Sequence, residues 1–221
     1  MVTQKIETTM FQKQFWPWLL ISCFFSLGIS APISVEKFEK YLNKKIRRNK
    51  HSLRIKSKLI GIEGAEFLAQ SESIKNLNTL ILHETGIGDK GVIQLAKSKA
   101  LAGLKTLELG NNNISDIGAN AIANSPFFSK LKSLSLYRNK ISDAGARFLA
   151  HSNTLIQLEE INLSYNNIGD DGVKFLTSSK KLNGLLKLYL SYNPLGINGK
   201  RRLLKFEHKV EFSILQKKTL L

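Results

Sequence analysis

Six glycines stand 27 residues apart: Gly64, Gly91, Gly118, Gly145, Gly172 and Gly199. A fixed period of about 20–50 residues means that one small unit is built repeatedly, each copy stacking on the last. Such a unit cannot bury its apolar side alone. The chain gains a core only as a solenoid in which every unit covers its neighbour.

The glycines anchor a longer pattern. Its clearest copy runs Leu104, Leu107, Leu109, Asn112, Ile114, Asp116, Gly118, Ile122, Ala123 and Ser125. The next runs Leu131, Leu134, Leu136, Asn139, Ile141, Asp143, Gly145, Leu149, Ala150 and Ser152. Copies follow at Leu158–Ser179 and from Leu185, and one precedes at Leu77–Ser98 with Thr85 in the asparagine slot. The first unit is worn, keeping Leu53, Ile55, Ile60, Gly64, Leu68, Ala69 and Ser71, with Lys58 in the asparagine slot. The Leu-x-Leu alternation predicts a short strand with one buried face. Ala146, Leu149 and Ala150 fall at helical spacing. Asp89, Asp116, Asp143 and Asp170 each stand near a predicted helix start, where a carboxylate can accept N–H bonds and oppose the helix dipole. The asparagine column predicts side chains bonded to backbone in the turn after each strand.

These residues resemble the leucine-rich repeat family, specifically its ribonuclease-inhibitor-like subtype, over roughly Leu53–Leu204. The resemblance implies an α/β solenoid, curved, with a parallel sheet on the concave side and short helices on the convex side. It implies a non-enzymatic module that binds a protein on its concave sheet. Exported bacterial members of the family look like tools for contacting host or neighbouring proteins. The eukaryotic Ran GTPase activators are similar in repeat type, which raises small-GTPase regulation as an alternative. This chain lacks their acidic C-terminal tail, and no catalytic arginine can be assigned.

Four segments follow: residues 1–31, a basic cap helix in 32–52, repeats over 53–204, and a basic C-terminal cap over 205–221. Residues 32–58 carry ten basic and two acidic side chains, and 200–221 carry seven and two, while 59–199 carry fourteen and twelve. The repeat body is nearly neutral and the ends are basic. Val35, Phe38, Leu42 and Ile46 fall on one face of a predicted cap helix over Ser34–Ile46. Lys44–Lys58 holds eight basic residues and no acid. A charge run is usually a solvated face. The alternative is an electrostatic binder of nucleic acid or anionic membrane through this run and Lys200–Lys218. No aromatic lies within the N-terminal run to stack on bases. At the far end, Val210, Phe212 and Ile214 alternate as a last strand would.

Phe15–Ala31 is a 17-residue apolar run after Lys5 and Lys13, with Gly28, Ser30 and Ala31 at its end. This is the anatomy of a secretory signal peptide, with Met10 as an alternative start. It is short for a membrane span. Secretion or residence in the cell envelope is the expected localisation, with the cytoplasm as alternative. Cys23 is the single cysteine, so no intramolecular disulfide can form. Animal and plant extracellular relatives resemble one another in cysteine-stapled caps, which are missing here, and this favours an exported bacterial protein or a cytosolic one.

Gly86-Ile-Gly88-Asp-Lys-Gly91 satisfies the dinucleotide-binding pattern. The repeat register accounts for it, since the same slots hold Asn113, Ser115 and Gly118 in the next copy. His51, His83, His151 and His208 show no metal spacing. No catalytic, cofactor or metal residue is assigned.

What varies between copies is the outward face of the strands. Its columns read Thr79, Thr106, Ser133, Glu160, Lys187, then Ile81, Glu108, Ser135, Asn162, Tyr189, then His83, Gly110, Tyr137, Ser164, Ser191. Just beyond stand Glu84, Asn111, Arg138, Tyr165 and Tyr192. Four of the five tyrosines fall here. Tyrosine and arginine dominate interfaces, although tyrosine also favours strands for its own sake. The candidate partner-binding residues are Tyr137, Arg138, Tyr165, Tyr189 and Tyr192, with Glu108 and Glu160 as an acidic rim.

Overall fold

The structure is a computed structural model that describes residues 35–57, 60–206 and 211–213. The apolar run 15–31 and Lys58 lie outside the described residues. Helix α1 (Val35–Arg48) leads into strand β1 (Ser52–Lys56) and helix α2 (Gly61–Gln70). Then come β2 (Thr79–His83), α3 (Gly88–Ala96), β3 (Thr106–Glu108), α4 (Asp116–Ala123), β4 (Ser133–Ser135) and α5 (Asp143–Ala150). The last units hold β5 (Glu160–Asn162), α6 (Asp170–Thr177), β6 (Lys187–Tyr189), α7 (Ile197–Phe206) and β7 (Glu211–Ser213).

The strands form one seven-stranded parallel sheet in chain order. Register keeps the repeat: Leu80 pairs with Leu107, Leu107 with Leu134, Leu134 with Ile161 and Ile161 with Leu188. The final step, Leu188 to Phe212, is shorter than the 27-residue period, and β7 closes the sheet in parallel. Neighbouring strands sit about 4.8 Å apart, while packed helices need about 8–10 Å. Equal numbers of both can stack only if the solenoid bends with the sheet inside. At the N-terminal end, Phe38 and Leu42 of α1 are buried, and Phe38 meets Phe67 of α2 edge-to-face at 5.6 Å. Ile46 is only half-buried, so the cap helix is anchored mainly by its first two turns.

Three polar ladders join the units. In the first, the Asn112 side-chain oxygen accepts from the N–H groups of Thr85 and Gly86, and its amide donates to the carbonyls of Leu82 and Gly110. Asn139 accepts from Asn112 and Ile114 N–H and donates to Leu109, Leu136 and Tyr137. Asn166 and Asn193 repeat this one unit on each time, accepting from Ile141 and Ile168. The asparagines therefore do what the sequence predicts, and they bond to two units rather than one. In the second ladder, Ser98, Ser125, Ser152 and Ser179 donate to the carbonyls of Ala69, Ala96, Ala123 and Ala150, near the C-terminal ends of the preceding helices.

The third ladder corrects an expectation. The aspartates do not cap their own helices. Ser115 caps α4 through Ile117 N–H, and Ser142 caps α5 through Ala144 N–H. Each aspartate instead reaches into the next unit. Asp89 Oδ1 accepts from Ser115 N–H at 2.8 Å and Gly118 N–H at 2.9 Å, and its Oδ2 accepts from Ser115 Oγ. Asp116 holds Ser142 and Gly145 in the same way, and Asp143 holds Gly169 and Gly172. A carboxylate at the following helix start is still favoured by that helix's dipole.

This explains the fixed glycine from Gly118 onward; at Gly64 and Gly91 a Cβ would instead meet the Ile60 and Ile87 side chains at 2.6 and 2.7 Å. A Cβ on Gly118 would lie 2.6 Å from Asp89 Oδ1 and 2.5 Å from the Ile114 side chain. Gly145 and Gly172 face Asp116 and Asp143 equally closely. The glycine is demanded by a close approach, not by a special dihedral. Gly118→Ala should cost about 2–3 kcal/mol through overpacking and a displaced carboxylate. Gly103→Ala, whose Cβ would meet nothing closer than Leu77 O at 3.6 Å, should stay within about 0.5 kcal/mol of the parent. Urea unfolding of the two variants checks this, and equal stabilities would contradict it.

Candidate functional site

The backbone just past each strand is unusual. Ser57, Glu84, Asn111, Arg138, Tyr165 and Tyr192 all have φ between 49° and 57°. This left-handed conformation suits glycine or asparagine and costs other residues about 1–2 kcal/mol. A backbone bond to the next unit goes with it: Ser57 N–H donates to His83 O, Glu84 to Gly110 O, Asn111 to Tyr137 O, Arg138 to Ser164 O and Tyr165 to Ser191 O. Asn111 fits the slot. The three C-terminal units fill it with Arg138, Tyr165 and Tyr192, large side chains that the backbone disfavours.

Those side chains come together. Tyr165 and Tyr192 stack with ring centroids 4.1 Å apart and planes 20° from parallel. Tyr137 meets Tyr165 edge-to-face at 5.2 Å. Arg138 is exposed, and Tyr165 and Tyr192 are 39% and 56% exposed. The Tyr165 phenol titrates above its ordinary range, chiefly because it is hydrogen-bonded to the Tyr192 side chain. Loss of surrounding water and the neighbouring phenols of Tyr192 and Tyr137 push the same way, and Arg138 opposes them. The result is a neutral aromatic row with one fixed cation beside it, running across three units along the rim where strands end.

The other candidates are placed elsewhere. Tyr189 is half-buried at the end of β6, paired in register with Asn162 on the sheet itself. Glu108 ends β3 and Glu160 begins β5, so β4 with Ser133 and Ser135 lies between them. Glu160 pairs in register with Lys187. The two glutamates occupy different columns and do not make a continuous acidic rim. Ile81, expected on the open face, is 2% exposed, lying in register between Arg54 and Glu108. His83 leans over Gly110, whose missing side chain leaves the space for the ring. The sequence placed Tyr165 and Tyr192 in one column but carried no sign of their left-handed backbone, since only Asn111 there has a residue type that announces it.

The glycine-rich stretch is fully committed to the fold. Gly86 N–H donates to the Asn112 side chain, Gly88 N–H to Asn112 O and Gly91 N–H to Ile87 O. None of the three points at a phosphate site. Among the described residues no group of three His, Cys, Asp or Glu side chains is arranged to hold a metal ion. No helix of the described residues is long and apolar enough to cross a membrane.

Residues 104–123, 129–150 and 156–176 match the family model described as Leucine Rich repeat. No curated protein matches the chain. Among solved structures it is similar to an internalin from Listeria monocytogenes, at 22% identity and a TM-score of 0.45, covering 73% of this chain and 46% of that one. The chain thus spans about half the length of that structure. With the matched repeats lying in register within one parallel sheet, the fold is a leucine-rich repeat solenoid.

Proposed function

We propose that this is a non-enzymatic protein-binding module of the ribonuclease-inhibitor-like subtype. A helix of eight to ten residues in every unit supports the subtype. The observation that carries the binding reading is the row Tyr137, Arg138, Tyr165 and Tyr192. Arg138, Tyr165 and Tyr192 are held there in a backbone that penalises them, and strain of this kind collects at binding sites. Stacking orders the rings before a partner arrives, which lowers the entropy lost on docking. Tyr189 supplies a further aromatic edge on the sheet beside them.

The partner is a protein with an apolar, hydrogen-bonding surface rather than a strongly charged one, because the row is neutral apart from Arg138. Interface anchors of this type cost about 2 kcal/mol or more when cut to alanine. Tyr165→Ala with Tyr192→Ala should therefore weaken a bound protein by about 30-fold or more. Ile117→Thr, on an exposed convex position of α4, should leave the affinity unchanged. Binding kinetics on the immobilised chain measure both; a double variant that binds like the parent removes the row from the site.

The module is exported, with Phe15–Ala31 acting as a signal peptide. The intact mass of the mature chain should correspond to a start near Ala31 or Pro32 outside the cytoplasm. A full-length cytosolic species would overturn export.

A further inference from the structure

The two basic ends differ in how the fold treats them. At the C-terminal end, Arg201, Arg202 and Lys205 of α7 share a cleft with Asp170 and Asp171 of α6. Arg202 also donates to Thr177 Oγ1 at 2.7 Å and to Ser178 Oγ. Arg202 is thus held by hydroxyls of the preceding unit, and two carboxylates line the cleft beside Lys174 and these cations.

At the N-terminal end the cations are more numerous, and the acid beside the end of the strand, Glu84, accepts from Ser57 Oγ. Asn49 accepts from His51 and Ser52 N–H, pinning a tight turn that sets the last turn of α1 beside β1. Lys44, Arg47 and Arg48 of the helix, Lys50 of the turn, and Arg54 and Lys56 of the strand are all exposed. The ion pairs Lys40–Glu36 and Lys132–Glu159 involve none of them. The acids of α1, Glu36 and Glu39, lie toward its opposite end. The dipole of α1 favours Arg47 and Arg48 at its C-terminus. It does not account for Lys50, Arg54 or Lys56.

We infer that this patch docks on anionic phospholipid headgroups. The apolar run Phe15–Ala31 ends just before α1, so the N-terminal end of the body is the one that meets a bilayer as the chain enters or crosses it. The apolar face of α1 is spent on its own core through Phe38 and Leu42, so contact is at headgroup level and electrostatic. The patch offers no exposed aromatic for base stacking; Tyr41 is half-buried, with Lys45 over its ring. Basic side chains at an anionic surface are each worth about fivefold in partition.

The inference rests on the export reading, so the test is co-sedimentation of the mature chain, starting at Pro32, with vesicles of phosphatidylcholine alone or with about a third phosphatidylglycerol. Anionic vesicles should bind it in preference to neutral ones. That preference should collapse between about 0.05 M and 0.3 M salt as screening shortens. Lys44→Gln, Arg47→Gln, Arg48→Gln and Lys50→Gln together should lower anionic binding by roughly several-hundredfold while leaving the melting curve cooperative. Lys200→Gln, Arg201→Gln and Lys205→Gln should leave it unchanged. Equal binding to neutral and anionic vesicles, or loss only with the C-terminal set, would overturn the inference. So would salt-sensitive binding to a DNA duplex with none to vesicles.

Discussion

A carboxylate of one unit occupying the space where a side chain of the next would be is the contact on which this structure turns. Asp116 touches the bare Cα of Gly145 and accepts its N–H, and the same pair recurs as Asp89 with Gly118 and Asp143 with Gly172. The two residue types are therefore one device split across two copies. Only glycine admits the carboxylate, and the carboxylate satisfies donors that a helix start would otherwise leave bare. From Gly118 onward the 27-residue interval carries the imprint of this contact, while at Gly64 and Gly91 the space is taken by Ile60 and Ile87. At the last step the device is incomplete: Asp170 faces Gly196 and Gly199, but its buried Oδ1 has no hydrogen-bond partner among the described residues. There the chain leaves the strict period and closes with β7.

The asparagine ladder does the matching work on the sheet side and has a consequence for the surface. One residue after each strand lies in the left-handed region, six times over, and from Glu84 to Tyr165 the turn beside it is bonded by an asparagine of the next unit. Where that residue is Asn111 the slot is comfortable. Where it is Arg138, Tyr165 or Tyr192 the chain accepts a local cost, and stacking between Tyr165 and Tyr192 returns part of it. Scaffold and site are thus separable: the ladders recur through the central units, while the rim side chains change from copy to copy.

Much of this was legible in the sequence. Leu104, Leu107 and Leu109 announce a strand with one buried face, and all three are buried in β3 or beside it. Phe212 announced a closing strand and is found in β7. What could not be read were relations between copies. Asp116 stands at the start of α4 in sequence, so the propensity rule assigned it to that helix, and only stacking shows that its partner is α5. In the same way, Ile81 looked exposed until its neighbours were placed beside it.

The account rests on each unit completing the hydrogen bonds of the unit after it. Native-state hydrogen exchange of Asp116→Ala tests this most directly. The amides of Ser142 and Gly145, one unit downstream, should lose protection while the helical amides of α4 keep theirs. Loss confined to α4, with Ser142 and Gly145 still protected, would show that the aspartate serves its own helix and would contradict the account.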